Sequence, residues 1–287
     1  MSRLREILDR EAFNPSPLIG LLLNPFYFAR RGLFRNVENI SRGICGGALL
    51  DVGCGSKPYK HLFVVDRYDG LEYVGDRLGR KEHAEYVYDG HRFPFQNAEY
   101  DHVLCNQVLE HVFNPDEFLQ EIARVLKPNG ELLLTVPFVW DEHEQPIDCA
   151  RYTSFGIRDI LSRHGFEVVE FRKSCADFSA IAQMASAYFY KKCIGSGGAW
   201  RKIITGLICA VMNIIGAVLT FVLPANEDLY LDNVVFARRR VDVASDCVGA
   251  DEPEHEDDVQ APMGRCISNG CSNREKIASR HGDKSMK

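Results

Sequence analysis

The stretch LLDVGCGS, residues Leu49–Ser56, has the pattern of a buried strand that runs into a glycine-rich turn. Gly53 and Gly55 let the backbone turn sharply and approach a ligand closely. In a dinucleotide-binding GxGxxG turn the third glycine would fall at position 58, where Pro58 supplies neither the close packing nor the N–H donor. The stretch therefore predicts a strand and a ligand-facing turn, but not a dinucleotide fingerprint.

Around this stretch, from about residue 48 to residue 171, short apolar runs alternate with helical patterns. Such alternation indicates βαβ units and a mostly parallel sheet. One more short strand is expected far beyond this region, at Asn233–Arg238. The predicted strands are Ala48–Val52, Glu72–Gly75, Ala84–Tyr88, Tyr100–Cys105, Glu131–Val136, Phe166–Phe171 and Asn233–Arg238.

The clearest helix follows the fourth predicted strand. Asn114 can cap its first turn, and Pro115 suits the first helical position. One apolar stripe follows, and we expect Asn129-Gly130 to end the helix. A second helix is predicted over Ser154–His164.

Five linked segments carry a family resemblance: LLDVGCGSKPY, EYVGD, YDGHRFPF, YDHVLCNQVLEHV and EIARVLKPNGELLLTVPF. In order and spacing they resemble the methyltransferase type 11 group of class I methyltransferases, over roughly residues 48–169. The resemblance implies an α/β, Rossmann-like fold: a mostly parallel seven-stranded sheet with helices on both faces and an apolar helical insertion before the last strand. It also implies S-adenosylmethionine as the cofactor and a methyltransferase activity.

The same resemblance assigns the cofactor site residue by residue. The residues of the turn after the first strand would line the methionine portion of the cofactor, and Asp51 would organise its amino end. These residues are Asp51, Gly53, Cys54 and Gly55. Asp89, with Gly90 beside it, would hydrogen-bond the adenine amino group. Asn106 and Gln107 would lie beside the methionine moiety and the departing methyl. All of these positions are at the carboxyl ends of predicted strands, where open α/β sheets bind ligands.

The family also carries an acidic residue at the end of the second strand, where it clamps the two ribose hydroxyls. Asp76 is our candidate, although it follows Gly75 one position early, and a shift of one residue in a strand reverses the side-chain face. Asp66 and Asp69 are the alternatives.

The segment WDEHEQPIDCARYT, residues 140–153, follows the fifth predicted strand and is dense in titratable groups. It is the best candidate for acceptor recognition, and similar family members carry an H-E-x-P-x-D-x-x-R-Y-T pattern here. His143 is the candidate general base, because imidazole titrates near neutrality. Asp148 and Arg151 either brace the loop as an ion pair or act in catalysis, and Tyr152 completes the candidate catalytic set.

An uncharged stretch, Ile203–Leu223, is long enough to cross a bilayer. A single crossing would leave the last two predicted strands on opposite sides, so we expect a helix that lies in the membrane interface. Flanking lysines, arginines and Trp200 would anchor it, and the run Leu18–Leu23 would join the same surface. A buried lid helix or a dimer contact is the alternative.

The composition narrows the function further. A formal net charge of −6 gives no general attraction to nucleic acid, so no nucleic-acid partner is expected. The ten cysteines show no CxxC pair or zinc-ligand spacing, so no metal site is expected, and the thiols are taken as reduced. The N-terminus lacks the pattern of a secretion signal, and we expect a cytoplasmic protein, peripheral on the inner face of the membrane.

Five parts are expected along the chain. They are an N-terminal helical or amphipathic segment (1–46), a cofactor-binding core (47–175), a helical apolar insertion (176–230), the last core strand (231–240) and an acidic, disordered tail (241–287). Our main hypothesis is O-methylation of a membrane-associated, glycan or lipid-linked acceptor. A soluble small metabolite or quinone-like ring, and a non-catalytic cofactor-binding regulatory protein, are the alternatives. Neither the acceptor atom nor the oligomeric state follows from the sequence.

Overall fold

Seven strands form one sheet in the order β3-β2-β1-β4-β5-β7-β6. The first five strands in this order run parallel to one another, and β7 runs antiparallel between β5 and β6. This is the seven-stranded, mostly parallel α/β fold expected from the sequence. The strands are β1 Ala48–Val52, β2 Arg67–Tyr73, β3 Tyr86–Tyr88, β4 Tyr100–Asn106, β5 Leu126–Pro137, β6 Phe166–Ser174 and β7 Asp232–Arg239.

The computed structural model describes residues 10–75, 83–194 and 198–241. Asp76 and the predicted tail from residue 242 onward lie outside the described residues. The helices are α1 Ile19–Leu23, α2 Tyr27–Ser41, α3 Pro115–Val125, α4 Ser154–Arg163, α5 Phe178–Ile194 and α6 Ala199–Val222, with 3-10 turns at Lys60–Leu62 and Leu109–His111.

Neighbouring residues of each strand serve opposite faces of the sheet, because strand side chains alternate. Leu50 belongs to the buried cluster that packs on α3 and α4, where Ile122 is fully buried. Leu49 belongs to the cluster on the other face, which packs on α2 around Val37. Helices therefore cover both faces, and the carboxyl ends of the parallel strands stay available for a site.

The helix after β4 starts as predicted and ends earlier than predicted. Asn114 caps α3 by accepting a hydrogen bond from the N–H of Glu117 at 3.3 Å. The helix ends at Val125, and Leu126 is already extended in β5. Pro128 explains the early end, since a proline lacks the N–H that the next helical turn requires and pushes the preceding residue toward extended geometry.

The second strand begins earlier than predicted, because β2 spans Arg67–Tyr73 instead of 72–75. Its Asp-Gly pair is typical of turns, and this concealed the strand in the sequence. Gly70 is paired with Asp51 of β1. A Cβ on Gly70 would lie 2.4 Å from Cε of Lys57 and 2.7 Å from Sγ of Cys54, so glycine is required where these side chains cross the strand.

The insertion between β6 and β7 is a pair of packed helices, α5 and α6, with α1 packed on α6. Among the described residues, α6 alone is long and apolar enough to cross a membrane by length and composition. The buried residues of α6 are Thr205, Cys209, Asn213 and Gly216. The face of α6 that packs on the protein is therefore small and polar, and its exposed face is apolar.

Candidate functional site

The turn after β1 contains two glycines with different tasks. Gly53 and Gly55 both have left-handed backbones, with φ of 69° and 50°. A Cβ on Gly53 would lie 2.4 Å from Cγ2 of Val108, whereas one on Gly55 would meet nothing within 4 Å. Gly53 is needed for packing within the protein, and the open space beside Gly55 is available to a ligand.

Asp51 lies in β1 just before this turn and is buried. Its Oδ2 accepts a hydrogen bond from the hydroxyl of Tyr68 at 2.6 Å. Burial raises the pKa of Asp51 to about 7, although the Tyr68 hydrogen bond and the charge of Lys57 act in the opposite direction. A buried carboxylate that titrates near neutrality is well suited to hold a cationic group of a ligand.

Cys54 stands between the two glycines and is buried. Its Sγ lies 4.0 Å from Oε2 of Glu72. Burial raises the pKa of this thiol to about 12, so the thiol stays protonated at neutral pH. Cys54 lines the turn as a small apolar side chain.

Glu72 is the acidic residue that the structure places at the carboxyl end of β2. It directly follows Leu71, which pairs with Val52 at the end of β1, and its Oε2 accepts a hydrogen bond from the N–H of Gly55 at 2.9 Å. Glu72 was missed in the sequence because the second strand was predicted to begin at residue 72, whereas β2 begins at Arg67. With the strand bounds corrected, counting along β2 from its pairing with β1 identifies it.

The two alternatives to Asp76 lie toward the other edge of the sheet. Asp66 precedes β2 and accepts from the N–H of Gly47 at 2.7 Å. Asp69 accepts from the hydroxyl of Tyr100 at 2.7 Å and is buried in the core. Neither carboxylate is at the carboxyl ends of the strands, so both alternatives are wrong as ribose-binding residues.

Asp89 and Gly90 directly follow β3 and are exposed. Asp89 Oδ1 accepts a hydrogen bond from the N–H of His91 at 3.1 Å, which fixes the carboxylate in the turn. Gly90 has a φ of 97°, and the ring of Tyr73 lies beside it. Asp89 therefore lies at the carboxyl end of the edge strand β3, and its contact with the adenine amino group stays a prediction.

Asn106 ends β4 and Gln107 follows it, beside a buried carboxylate that the sequence did not reveal. Thr135 donates to Oδ1 of Asn106 at 2.8 Å, and the side chain of Gln107 donates to Oδ1 of Asp232 at 3.3 Å. Burial raises the pKa of Asp232 to about 7, while Gln107 and the charge of Arg30 lower it. Asp232 starts β7, far away in sequence, and only the sheet order brings it here.

Residues 50–134 match the family model described as "Methyltransferase domain". By this match, residues 50–134 form a methyltransferase domain. The match covers the turn after β1, the ends of β2 to β4 and most of β5, which are the elements that build the site described above. Enzymes of this class use S-adenosylmethionine, and the family match supports the cofactor and the reaction class predicted from the sequence.

Several curated proteins resemble parts of the chain. An uncharacterized protein of Methanocaldococcus jannaschii is 30% identical over 104 residues, covering 35% of this chain and 49% of that protein. The ubiquinone biosynthesis O-methyltransferase of Shewanella halifaxensis is 33% identical over 112 residues, covering 33% of this chain and 45% of that protein. A thiol S-methyltransferase of Rattus norvegicus is 27% identical over 130 residues, covering 41% of this chain and 51% of that protein. The chain spans about half the length of these relatives.

Among solved structures, the crystal structure of the (4+2)-cyclase SpnF superposes with a TM-score of 0.50 at 19% identity. The superposition covers 74% of this chain and 82% of that chain. At this identity the likeness shows the fold alone, which is the Rossmann-like arrangement predicted for the methyltransferase domain.

The residues of the methyltransferase domain fit S-adenosylmethionine. Gly55 leaves open space for the methionine portion, and Asp51 offers a buried carboxylate to its ammonium group. Glu72 and Asp89 present carboxylates at the ends of β2 and β3, where the ribose and the adenine would lie. When bound, the cofactor supplies an activated methyl group on a sulfonium.

The acceptor loop, residues 138–153, follows β5 and is organised by an ion pair. Both oxygens of the Asp148 carboxylate accept hydrogen bonds from Arg151, at 2.6 and 2.7 Å. Burial opposes ionisation of Asp148, but these bonds outweigh it and lower its pKa to about 2. Arg151 also donates to the carbonyl of Asp141 at 3.0 Å. The pair therefore joins the two ends of the loop.

Tyr152 lies where the acceptor loop returns to the core. Its N–H donates to the carbonyl of Pro137 at 3.3 Å, and its carbonyl accepts from Asn233 at 2.7 Å. Its ring packs partly buried against the cluster around α3 and α4, and burial raises the pKa of the hydroxyl to about 12. These contacts indicate that Tyr152 anchors the loop to the core.

His143 faces two residues that come from the other side of the site. Its ring centroid lies 4.8 Å from that of His111, with the rings edge to face. His111 and the fully buried Glu110 belong to the 3-10 turn after β4. Burial raises the pKa of Glu110 to about 8. The sequence did not reveal that this pair lies close to His143.

Proposed function

We propose that this methyltransferase acts on an oxygen of an acceptor held at a membrane surface, such as a hydroxyl of a lipid-linked glycan, on the cytoplasmic side. The observation that carries this proposal is the reversed polarity of α6. A helix on the surface of a soluble protein normally buries its apolar side and exposes its polar side. In α6 this order is inverted from Ile203 onward.

The exposed side of α6 forms a continuous apolar strip. Phe221 is 91% exposed, Leu207 62% and Val218 55%. An apolar strip of this length marks an interaction surface on a protein that is otherwise water-soluble. α1 packs on α6, and Leu18 just before α1 and Leu23 at its end are exposed as well.

The polar residues on the inner side of α6 are used within the protein. The side chain of Asn213 donates to the carbonyls of Leu21 and Asn24, both at 2.9 Å, and accepts from Ser186 at 3.3 Å. These bonds satisfy carbonyl groups at the end of α1 that would otherwise lack partners. The orientation of α6 is therefore fixed by specific hydrogen bonds, and its apolar side is held outward.

The connections of α5 and α6 favour a helix that lies along the membrane over one that crosses it. β6 and β7, which flank the insertion, are paired from Phe166–Arg239 to Ser174–Asp232. A crossing by α6 alone would place these paired strands on opposite sides of a bilayer. Exposed Trp200, Arg201 and Lys202 at the start of α6 suit the headgroup region of an anionic membrane.

The same helices contact the acceptor loop. Lys191 at the end of α5 forms an ion pair with Asp141 at 2.6 Å and donates to the carbonyl of Glu142 at 2.8 Å. The ring of Trp140 lies 6.0 Å from that of Phe26, just before α2. An acceptor presented at the apolar strip would therefore lie next to the loop predicted to recognise it.

Methyl transfer from a sulfonium requires the acceptor oxygen in line with the methyl and in near contact. The protein contributes mainly by positioning the acceptor and excluding water. Asn106 and Gln107 would border the methyl, and the braced acceptor loop would hold the acceptor opposite it. The predicted catalytic residues divide accordingly: Asp148, Arg151 and Tyr152 position the loop, and His143 faces the acceptor.

Labelled transfer tests this proposal. Purified protein is incubated with methyl-labelled S-adenosylmethionine and with separated lipid, glycan and soluble-metabolite extracts, and we expect label in a lipid-linked fraction. In parallel, the protein should sediment with vesicles that contain anionic lipid. A variant with Leu207, Val211, Ile215 and Val218 replaced by serine should lose vesicle binding and keep cofactor binding.

The alternatives predict different outcomes. Label in soluble metabolites, with no vesicle binding, would favour the soluble or quinone-like acceptor, for which the apolar strip would be a lid or a dimer contact. Cofactor binding with no transfer into any fraction would favour a regulatory cofactor-binding protein. Absence of cofactor binding to folded protein would contradict the methyltransferase assignment itself.

A further inference from the structure

Three side chains with metal-ligating atoms meet at the carboxyl ends of β4 and β5. Glu110 and His111 come from the turn after β4, and His143 comes from the acceptor loop. A carboxylate oxygen and one ring nitrogen of each histidine all lie within 4.8 Å of one another. The three residues are close in space although His143 is far from the other two in sequence.

Glu110 is the feature of this cluster that most needs an explanation. Its side chain is fully buried, with 0% exposure. In the described part of the chain neither carboxylate oxygen has a hydrogen-bond partner. Its closest cation candidate, Nε2 of His111, is 3.8 Å from Oε1. A buried carboxyl group without partners is costly whether it is charged or neutral, and a bound ion is one way in which a protein completes such a group.

Both histidines are held through one ring nitrogen and offer the other. Nδ1 of His111 lies 3.0 Å from the carbonyl oxygen of Ile147. Nδ1 of His143 lies 3.3 Å from Oδ2 of Asp148, which also accepts from the N–H of His143. Metal-ligating histidines characteristically donate one ring N–H to a carbonyl or carboxylate, so that the other nitrogen is directed at the metal.

We infer that Glu110, His111 and His143 bind a divalent transition-metal ion through one carboxylate oxygen and two imidazole Nε2 atoms. Two histidines and one carboxylate are a donor set for Zn²⁺, Mn²⁺, Fe²⁺ and Co²⁺. Three protein ligands leave further coordination positions open, as in metal sites that bind a substrate or water. This site was not expected from the sequence, where no zinc-ligand spacing occurs.

The location of the ion would deepen the proposed function. Glu110 is three residues beyond Gln107, and His143 lies in the acceptor loop, so the open positions would face the acceptor. This part of the inference rests on the proposed function: an acceptor oxygen would occupy an open position and be held for in-line attack. His143 would then serve as a ligand and not as the base predicted from the sequence.

Metal binding is tested on the full chain without cofactor or acceptor. A negative result would therefore contradict the metal site without contradicting the proposed function. Chelator-treated protein is titrated with CoCl₂ under reducing conditions and followed by absorption and calorimetry. We expect one Co²⁺ per chain, visible d–d bands and no thiolate charge-transfer band. The thiolate band matters because the chain has ten cysteines that could bind the ion instead.

Single substitutions identify the ligands. Glu110→Gln, His111→Gln and His143→Gln should each weaken Co²⁺ binding at least tenfold. The matched control is the exposed pair His91 and Glu117, whose closest atoms are 3.3 Å apart. His91→Gln and Glu117→Gln should leave binding unchanged.

A measurement on the wild type covers the case in which a ligand variant does not fold. Substoichiometric Mn²⁺ should broaden the imidazole proton signals of His111 and His143 and leave that of His91 sharp. No binding to the wild type, a thiolate band, equal weakening in the control variants, or broadening that spares His111 and His143 would each overturn the inference.

Discussion

Arg151 holds the carboxylate of Asp148 in a two-pronged contact, with one guanidinium nitrogen on each oxygen, at 2.6 and 2.7 Å. The carboxylate side chain is 3% exposed and the arginine 24%. The sequence left open whether these residues brace the acceptor loop or act on the acceptor. Their contacts, which include the carbonyls of Asp141 and Ala150, are those of a brace.

Arg151→Lys should therefore destabilise the protein. Lysine keeps the charge but cannot bridge both oxygens, and breaking a buried pair costs about 3–5 kcal/mol at full burial. We expect a loss of about 2 kcal/mol in the free energy of unfolding, measured in urea, because Arg151 is only partly buried. The control is Arg163→Lys in an exposed pair with Asp159, for which less than about 1 kcal/mol is expected. Equal losses would contradict the brace.

The buried Asp232 predicts a pH dependence of stability. Its folded pKa of about 7 lies above the unfolded value of about 3.9, so the folded state retains a proton that the unfolded state releases. Stability from this group is complete below about pH 4, declines as pH rises, and is lost above about pH 7. The decline amounts to about 4 kcal/mol at most, at about 1.4 kcal/mol per unit.

Asp232→Asn removes this decline, and the measurement is the free energy of unfolding between pH 5 and pH 7.5 without cofactor. As pH rises, the free energy of unfolding of the variant should increase relative to that of the wild type. Asp51, whose pKa is also raised to about 7, is unchanged in both proteins and cancels from the difference. A difference that stays constant across this range would show that Asp232 is already ionised in the folded state.

The two glycines of the turn after β1 should respond differently to alanine. Gly53→Ala places a Cβ 2.4 Å from Val108, so the protein should lose more stability than the strain of a left-handed backbone alone, which is about 1–2 kcal/mol. Gly55→Ala meets open space and should lose only that strain. Its methyl group projects toward the ligand, so affinity for S-adenosylmethionine should fall at least tenfold by calorimetry. Unchanged affinity would place the cofactor elsewhere.

Glu72 and Asp69 provide a matched pair on one strand. Glu72→Gln should weaken cofactor binding about tenfold or more, since hydrogen bonds to a charged group contribute about 1.5–3 kcal/mol, and stability should change little. Asp69→Asn should lower stability through Tyr100 and leave affinity unchanged. The reverse result would return the ribose-binding role to the amino half of β2.

The sequence was sufficient for the elements that depend on local signals. Asn114 caps α3, as its residue type and position predict, and α4 begins at Ser154 as predicted. The methyltransferase assignment also came from local segments, because the family motif combines strands with the turns that follow them. The order of the sheet follows from that family, and the structure agrees with it.

What could not be predicted depends on contacts between distant residues. Gly70 is tolerated in a strand only because the Lys57 side chain crosses it, and no local pattern reports that. Asn213 lies on the inner side of α6 because of partners on α5 and at the end of α1, so hydropathy identified the helix but not its orientation. His111 and His143 are likewise close only because the carboxyl ends of β4 and β5 lie side by side in the sheet, which no local pattern reports.

The hydrogen bond from Gln107 to Asp232 joins positions 125 residues apart and has a consequence for biosynthesis. Among the described strands β6 pairs only with β7, and β7 lies between β5 and β6, so β6 and the insertion cannot join the sheet until β7 has left the ribosome. During that interval the edge of β5 that later pairs with β7 is unprotected. Translation order therefore makes β7 the closing step of folding, and a nascent chain stalled before residue 232 would be the form most exposed to chaperones and aggregation.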